Sequence, residues 1–295
     1  MLLNWEQIIW ANHARRLLLM RIDSHQHFWI FNAVRDAWIT DDMETIRQNF
    51  LPIDLASVLK SNRIDGTIAV QASQSHEETQ FLVDLSTMYA MIKGVVGWVD
   101  LQSEDVEQHL AHFSQYSVIK GFRHVIEAEE DPDFLIRPAF LRGIKALTAR
   151  QYTYDLLIRP RHYGSTLACV EQNPEQRFVL DHMAKPAIRT REFDEWAAFI
   201  EKLAAFPNVF CKVSGLVTEA DWKNWTLDDF KPYIQHVVAS FGKQRIMFGT
   251  DWPVCLVAAT YEDVMQIADT ALIDFSAEEQ LAFWGGNAAR FYGVK

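Results

Sequence analysis

From Met20 onward, short β-branched or apolar runs alternate with stretches of helical periodicity, and no other feature restricts the fold of this chain so tightly. The alternation is that of repeated βα units, in which each strand is followed by a helix and the strands lie parallel. Eight runs qualify, at residues 21–24, 67–71, 95–99, 118–123, 153–158, 178–181, 209–213 and 245–249. Helices are predicted between them at 53–61, 77–91, 105–114, 134–150, 163–172, 193–205 and 227–240, with 261–271 and 277–291 after the last strand. No glycine-rich phosphate fingerprint follows the first strand, so eight units indicate a TIM-type (β/α)8 barrel rather than an open doubly wound sheet. The 295 residues contain no Gly/Ser/Pro-rich linker, and residues 20–295 are expected to form a single domain.

Residues 1–19 are expected to be an extension outside that core. Leu17-Leu18-Leu19-Met20 is too short an apolar run for a membrane span or a signal-peptide core. Twenty-eight Lys and Arg stand against 39 Asp and Glu, a net charge of −11 without any basic run, which disfavours nucleic acid as a partner. Cys169, Cys211 and Cys255 are odd in number and widely spaced in apolar surroundings. They read as reduced structural thiols of a cytoplasmic protein. A small molecule is the expected partner, and nothing in the sequence opposes assembly into a homo-oligomer.

Barrel enzymes carry their chemistry at the C-terminal ends of the strands. Here those ends are polar. Strand one ends in Asp23-Ser24-His25-Gln26-His27, strand two in Gln71 and Ser73, and strand three offers Trp98 and Asp100. Arg123-His124 closes strand four, Arg159, Arg161 and His162 follow strand five, and Asp181-His182 ends strand six. Strand seven carries Lys212 and Ser214, and strand eight ends Thr250-Asp251-Trp252.

Residues i and i+2 of a strand share a face, so His25 and His27 can hold a metal ion or a water between their rings. Asp251 can accept a proton from that water, or join the two histidines as a metal ligand with His182 or His162 as a further one. Arg123, His124 and Lys212 could polarise a carbonyl and stabilise the oxyanion. Lys212, inside the apolar run Phe210-Cys211-Lys212-Val213, is costly unless it faces a polar interior. Trp29 and Trp252 offer flat faces to a sugar ring, and Arg159 and His162 are further groups placed to touch substrate. No G-x-S-x-G nucleophile elbow is present.

Six ordered motifs, D-S-H-Q-H-F-W, G-F-R-H, Y-D-L-L-I-R-P-R-H, D-H-M-A-K-P, K-V-S-G and F-G-T-D-W-P-V, resemble the amidohydrolase superfamily (the amidohydrolase 2 type) from residue 20 to about 292. Within it the chain is similar to the sugar-lactonase branch, the L-fuconolactonase and L-rhamnonolactonase kind. The resemblance implies a distorted (β/α)8 barrel with His25, His27, His182 and Asp251 in the site. It implies a hydrolase of carbohydrate metabolism that opens an aldono lactone to the free sugar acid with water activated by Asp251. Strand four carries Gly121-Phe122-Arg123-His124 where a binuclear member would have a bridging lysine. That implies one zinc or other divalent ion at most, with a metal-independent site as the alternative. Competing expectations are a lactonase for a carboxylated lactone, a metal-dependent decarboxylase of the same superfamily, and a sugar-acid binding barrel without catalysis.

Overall fold

The computed structural model describes residues 20–294, so the proposed extension at residues 1–19 lies outside the described residues. Among the described residues eight strands occur: β1 (Ile22–Gln26), β2 (Gly66–Val70), β3 (Ile92–Gly97), β4 (Ile119–His124), β5 (Thr153–Leu156), β6 (Phe178–Leu180), β7 (Val209–Val213) and β8 (Ile246–Phe248). They are hydrogen-bonded in sequence order, and every neighbouring pair is parallel. The helices between them are α1 (Pro52–Ser61), α2 (His76–Met88), α3 (Val106–Phe113), α4 (Pro138–Ala149), α5 (Tyr163–Gln172), α6 (Asp194–Ala204) and α7 (Leu227–Phe241). After β8 come α8 (Tyr261–Asp269), α9 (Ala277–Leu281) and α10 (Asn287–Tyr292). This is the expected (β/α)8 barrel.

Backbone hydrogen bonds close the ring at its upper rim. Gln26 bridges Trp252 in parallel, the His27 N–H donates to the Trp252 carbonyl at 2.7 Å, and the Asp251 N–H donates to the His25 carbonyl at 2.8 Å. His25, His27 and Asp251 are therefore themselves part of the seam that completes the barrel, beside Asp23, which accepts from the Thr250 N–H at 3.0 Å, and Ser24, whose hydroxyl donates to the Phe248 carbonyl. The barrel's distortion and its site share one cause: residues that would extend the β1–β8 ladder turn their side chains to the mouth.

Two apolar layers hold the barrel. Alternate strand residues such as Tyr154, Leu156, Cys211 and Val213 pack outward beneath the helices. Ile22, Ile68, Val70, Val96, Val179 and Met247 form an inner layer with Phe291 and Tyr292 of α10. The single helix expected at 277–291 is broken by a π-helical turn at Ala282–Gly286. Gly285 explains the break, since a Cβ there would stand 1.9 Å from the Met20 carbonyl oxygen. The chain crosses the start of β1 at that point and then turns α10 against the barrel. All three cysteines are buried and unpaired. Among the described residues no helix is long and apolar enough to cross a membrane.

One further buried carboxyl sets a pH signature. Glu78, near the start of α2, accepts from the Ala72 N–H of the loop after β2, and burial pushes its carboxyl from 4.5 up to about 7, with Arg35 and Asp36 its charged neighbours. Between these values the native state holds a proton that the unfolded chain has released, so stability falls as pH rises through that window. The full span corresponds to about 3 kcal/mol. Glu78→Gln should therefore melt progressively higher than the wild type between pH 5 and pH 8. A difference in Tm that stays constant across that range would contradict the assignment.

Candidate active site

Strand alternation aims a set of charged side chains inward near the top of the barrel. Lys212 on β7 is fully buried, and its Nζ lies 2.6 Å from Asp155 Oδ2 on β5, 2.9 Å from Asp181 Oδ1 after β6, and 3.1 Å from His25 Nδ1. The Tyr292 hydroxyl of α10 donates to Asp155 at 2.7 Å. Arg123 on β4 donates to Asp181 Oδ2 at 3.1 Å, lies 3.2 Å from His25 Nε2, and also donates to the Gln71 carbonyl. Burial raises both carboxyls, but Asp181, held between Lys212, His25 and Arg123, ends well below the usual carboxylate range. Asp155, facing Asp181 with Lys212 as its cation, is pushed up to about 6. These four charges form a neutral platform beneath His25.

Above it the seam residues converge. His27 Nδ1 is 2.7 Å from the Val70 carbonyl, which can only accept, so Nδ1 carries the proton and Nε2 presents a lone pair. His25 Nε2 lies 3.2 Å from His27 Nε2, and Asp251 Oδ1 lies 3.3 Å from His27 Nε2 and 3.7 Å from His25 Nε2. Burial, with Lys212 and His182 nearby, pushes the His25 imidazole well below its ordinary value and leaves it neutral. His182 completes the group, with Nε2 3.8 Å from Asp251 Oδ1, Nδ1 2.9 Å from the Ser214 hydroxyl, and its ring 4.4 Å from that of His25. Burial pushes His182 down to about 4. Asp251 is raised by burial, but His182 and Lys185 bring it below the ordinary carboxylate range.

The backbone is strained where these groups sit. Asp251 (φ 62°) and the run His182, Met183, Ala184 and Lys185 (φ 49–59°) occupy the left-handed region. Each such residue costs roughly 1 kcal/mol or more, and strain of that size collects at functional sites. The turn after β6 brings Asp181 and His182 in together, one to the platform and one to the seam. Gly215 (φ +63°) makes room for His182, because a Cβ there would lie 2.4 Å from the imidazole Nδ1.

The donor set fits a divalent metal. Two imidazole nitrogens and a carboxylate oxygen separated by 3.2, 3.3 and 3.7 Å match three corners of a tetrahedron with bonds of about 2.0–2.1 Å, whose edges are roughly 3.3 Å. His25, Asp181 and His182 also lie close enough to form a group, but the fixed cations Lys212 and Arg123 already occupy Asp181.

Of the sequence-predicted site residues, His25, His27, His182, Asp251 and Arg123 come together. Lys212 lies beneath them with its ammonium spent on two carboxylates and His25, out of reach of a substrate carbonyl. His124 points away, its Nε2 2.7 Å from Glu129 Oε1 and its ring 4.9 Å from that of Phe134. His162 is fully buried and bonds through Nε2 to the Glu129 carbonyl at 3.1 Å, tying two loops together. Trp252 is 4% exposed between Phe28 and Phe50, so its ring belongs to the core. Trp29 stands closer, its ring 6.4 Å from that of His27, though buried under Trp38 and Phe50. Arg159 reaches the mouth already paired with Glu127 and Glu219. Sequence reasoning missed Asp155 and Tyr292 altogether and left Asp181 without a role. The signal for Asp155 was present, because an acidic residue between Tyr154 and Leu156 in a buried strand is as costly as Lys212 and calls for such a partner.

A His-x-His and Asp seam able to hold a metal ion, at the C-terminal mouth of a parallel barrel, is the site of a (β/α)8-barrel enzyme. Residues 22–294 match the amidohydrolase family, and the chain belongs to that family. It is 38% identical over 286 residues to an L-fucono-1,5-lactonase of Burkholderia multivorans, covering 93% of this chain and 96% of the relative. A second L-fucono-1,5-lactonase, from Burkholderia ambifaria, is 33% identical over 284 residues, 94% of this chain and 97% of its own. The crystal structure of a Burkholderia multivorans amidohydrolase with bound zinc superposes with a TM-score of 0.89 at 39% identity, covering 94% of this chain and all of that one.

Proposed function

We propose that this hydrolase opens a neutral aldono lactone to the free sugar acid, with Asp251 as the base that activates water. The convergence of Asp251 Oδ1 on His25, His27 and His182 within 3.3–3.8 Å supports the reading. The likeness to two L-fucono-1,5-lactonases over nearly the whole chain points to the substrate class. His25, His27 and Asp251 would hold one divalent ion, with zinc the natural candidate for two imidazoles and a carboxylate. Such an ion, when bound, makes a water more acidic and polarises a carbonyl oxygen.

The residues of the chain divide the remaining work. The Asp251 carboxylate accepts a proton from water as the water oxygen bonds to the lactone carbonyl carbon. The His182 proton, on Nε2 when the Ser214 hydroxyl donates to Nδ1 2.9 Å away, hydrogen-bonds the developing oxyanion. On collapse the ring C–O bond breaks, and the proton on Asp251 passes to the departing ring oxygen. Arg123, Asp181, Lys212 and Asp155 touch no substrate in this scheme and position His25.

Aldono-1,5- and 1,4-lactones, followed by acid release with a pH indicator before and after chelator treatment, test the reading. Opening of at least one aldono lactone and loss of rate on chelation are expected. Carbon dioxide release from an unsaturated or aromatic acid without lactone opening would replace the lactonase reading with the decarboxylase one.

A further inference from the structure

Four charged side chains from four strand ends gather beside the catalytic group. Glu127 follows β4, Arg159 follows β5, Lys185 follows β6 and Glu219 follows β7. Arg159 donates through Nε to Glu127 Oε2 at 3.1 Å and through Nη1 to Glu219 Oε2 at 2.9 Å. Lys185 Nζ lies 2.9 and 2.7 Å from the two oxygens of Glu127 and 4.0 Å from Glu219 Oε1. Arg161 spends its guanidinium on the carbonyl oxygens of Glu127 and Glu129. Side-chain exposures of 13–38% leave the quartet open to solvent at the strand-end face of the barrel. It is near enough for Lys185 to act electrostatically on both His182 and Asp251.

Two cations and two carboxylates sum to zero, which decides what the rim can accept. A carboxylate on an incoming lactone would have to displace Glu127 or Glu219 from its cations while meeting repulsion from the one that remains. A polyol meets no such conflict, because guanidinium and ammonium N–H groups donate while carboxylate oxygens accept, side by side. Glu219 Oε1, with only the distant Lys185 for a partner among the described residues, is the acceptor best placed for a hydroxyl.

On the lactonase reading, we propose that Glu127 and Glu219 determine specificity: they accept hydrogen bonds from the hydroxyls of a neutral sugar lactone and, by neutralising Arg159 and Lys185, reject carboxylated lactones. The test compares kcat/KM for an aldono-1,5-lactone and for a lactone of the same ring bearing a carboxylate, in the full-length wild type, Glu219→Gln, Glu127→Gln and Glu219→Asp. Wild type should prefer the neutral ring by about 100-fold or more, and either Gln variant should lower that preference roughly tenfold or more. The loss on the neutral lactone should appear in KM, and Glu219→Asp, which keeps the charge, should retain most of the preference. Melting curves identify folded variants, and Glu219→Gln alone decides the matter if Glu127→Gln unfolds. An active wild type with the same preference in a folded Gln variant, or one that prefers the carboxylated ring, would overturn this inference while leaving the lactonase reading intact. A wild type inactive on all lactones would overturn both.

Discussion

Asp251→Asn should lower kcat by about 10²–10⁴-fold on the best lactone while the protein stays folded. The amide keeps the volume and a carbonyl oxygen at the seam, so the backbone bonds from Asp251 N–H to the His25 carbonyl and from Cys255 N–H to the Asp251 carbonyl are untouched. What disappears is, among the described residues, the carboxylate beside the imidazoles that no Lys or Arg neutralises, since Asp181 is paired with Arg123 and Lys212. The measurement is steady-state kinetics beside a melting curve. More than a tenth of wild-type turnover in a folded variant would remove Asp251 from proton transfer.

Lys212→Met should destabilise the barrel severely. Removing one partner from a buried ion network leaves a charge without compensation and costs about 3–5 kcal/mol. In a barrel of this size that is a fall in Tm of the order of 5–15 °C. Asp155 bears most of the cost, because Asp181 keeps Arg123 while Asp155, among the described residues, keeps only the Tyr292 hydroxyl. Lys212→Met with Asp155→Asn should accordingly melt higher than Lys212→Met alone, and the two changes should be far from additive. A Tm for Lys212→Met within about 2 °C of wild type, a shift of under about 1 kcal/mol, would show that the platform contributes little to folding.

Much of the fold was legible because it rests on local pattern. All eight strands fall within a few residues of their predicted positions, and β7 and α5 match end to end. The missed break at residues 282–286 has a nonlocal cause: helical periodicity continues through Phe283 and Trp284, and only the Met20 carbonyl against Gly285 interrupts it. The site was legible in part for the same reason. His25, His27, Arg123, His182 and Asp251 could be placed near one mouth from their positions at strand ends. A strand end does not say whether its side chain turns inward, however. His124 follows Arg123 directly and points the other way, toward Glu129, because neighbouring residues of a strand face opposite sides.

By itself the sequence determined that the chain is a parallel (β/α)8 barrel with its chemistry at the strand ends, because the periods of apolar residues and the alternation of strand faces are properties of neighbouring residues. Only the tertiary structure decided which charges meet. It placed Lys212 under His25 rather than beside a substrate, bound Arg159 to Glu127 and Glu219, and made His25, His27 and Asp251 the closing seam. Those outcomes depend on contacts between residues far apart in the chain, such as Asp23 and Thr250, which hydrogen-bond across the seam from 227 positions apart. They depend equally on the left-handed turns at His182 and Asp251 that aim both side chains into the mouth.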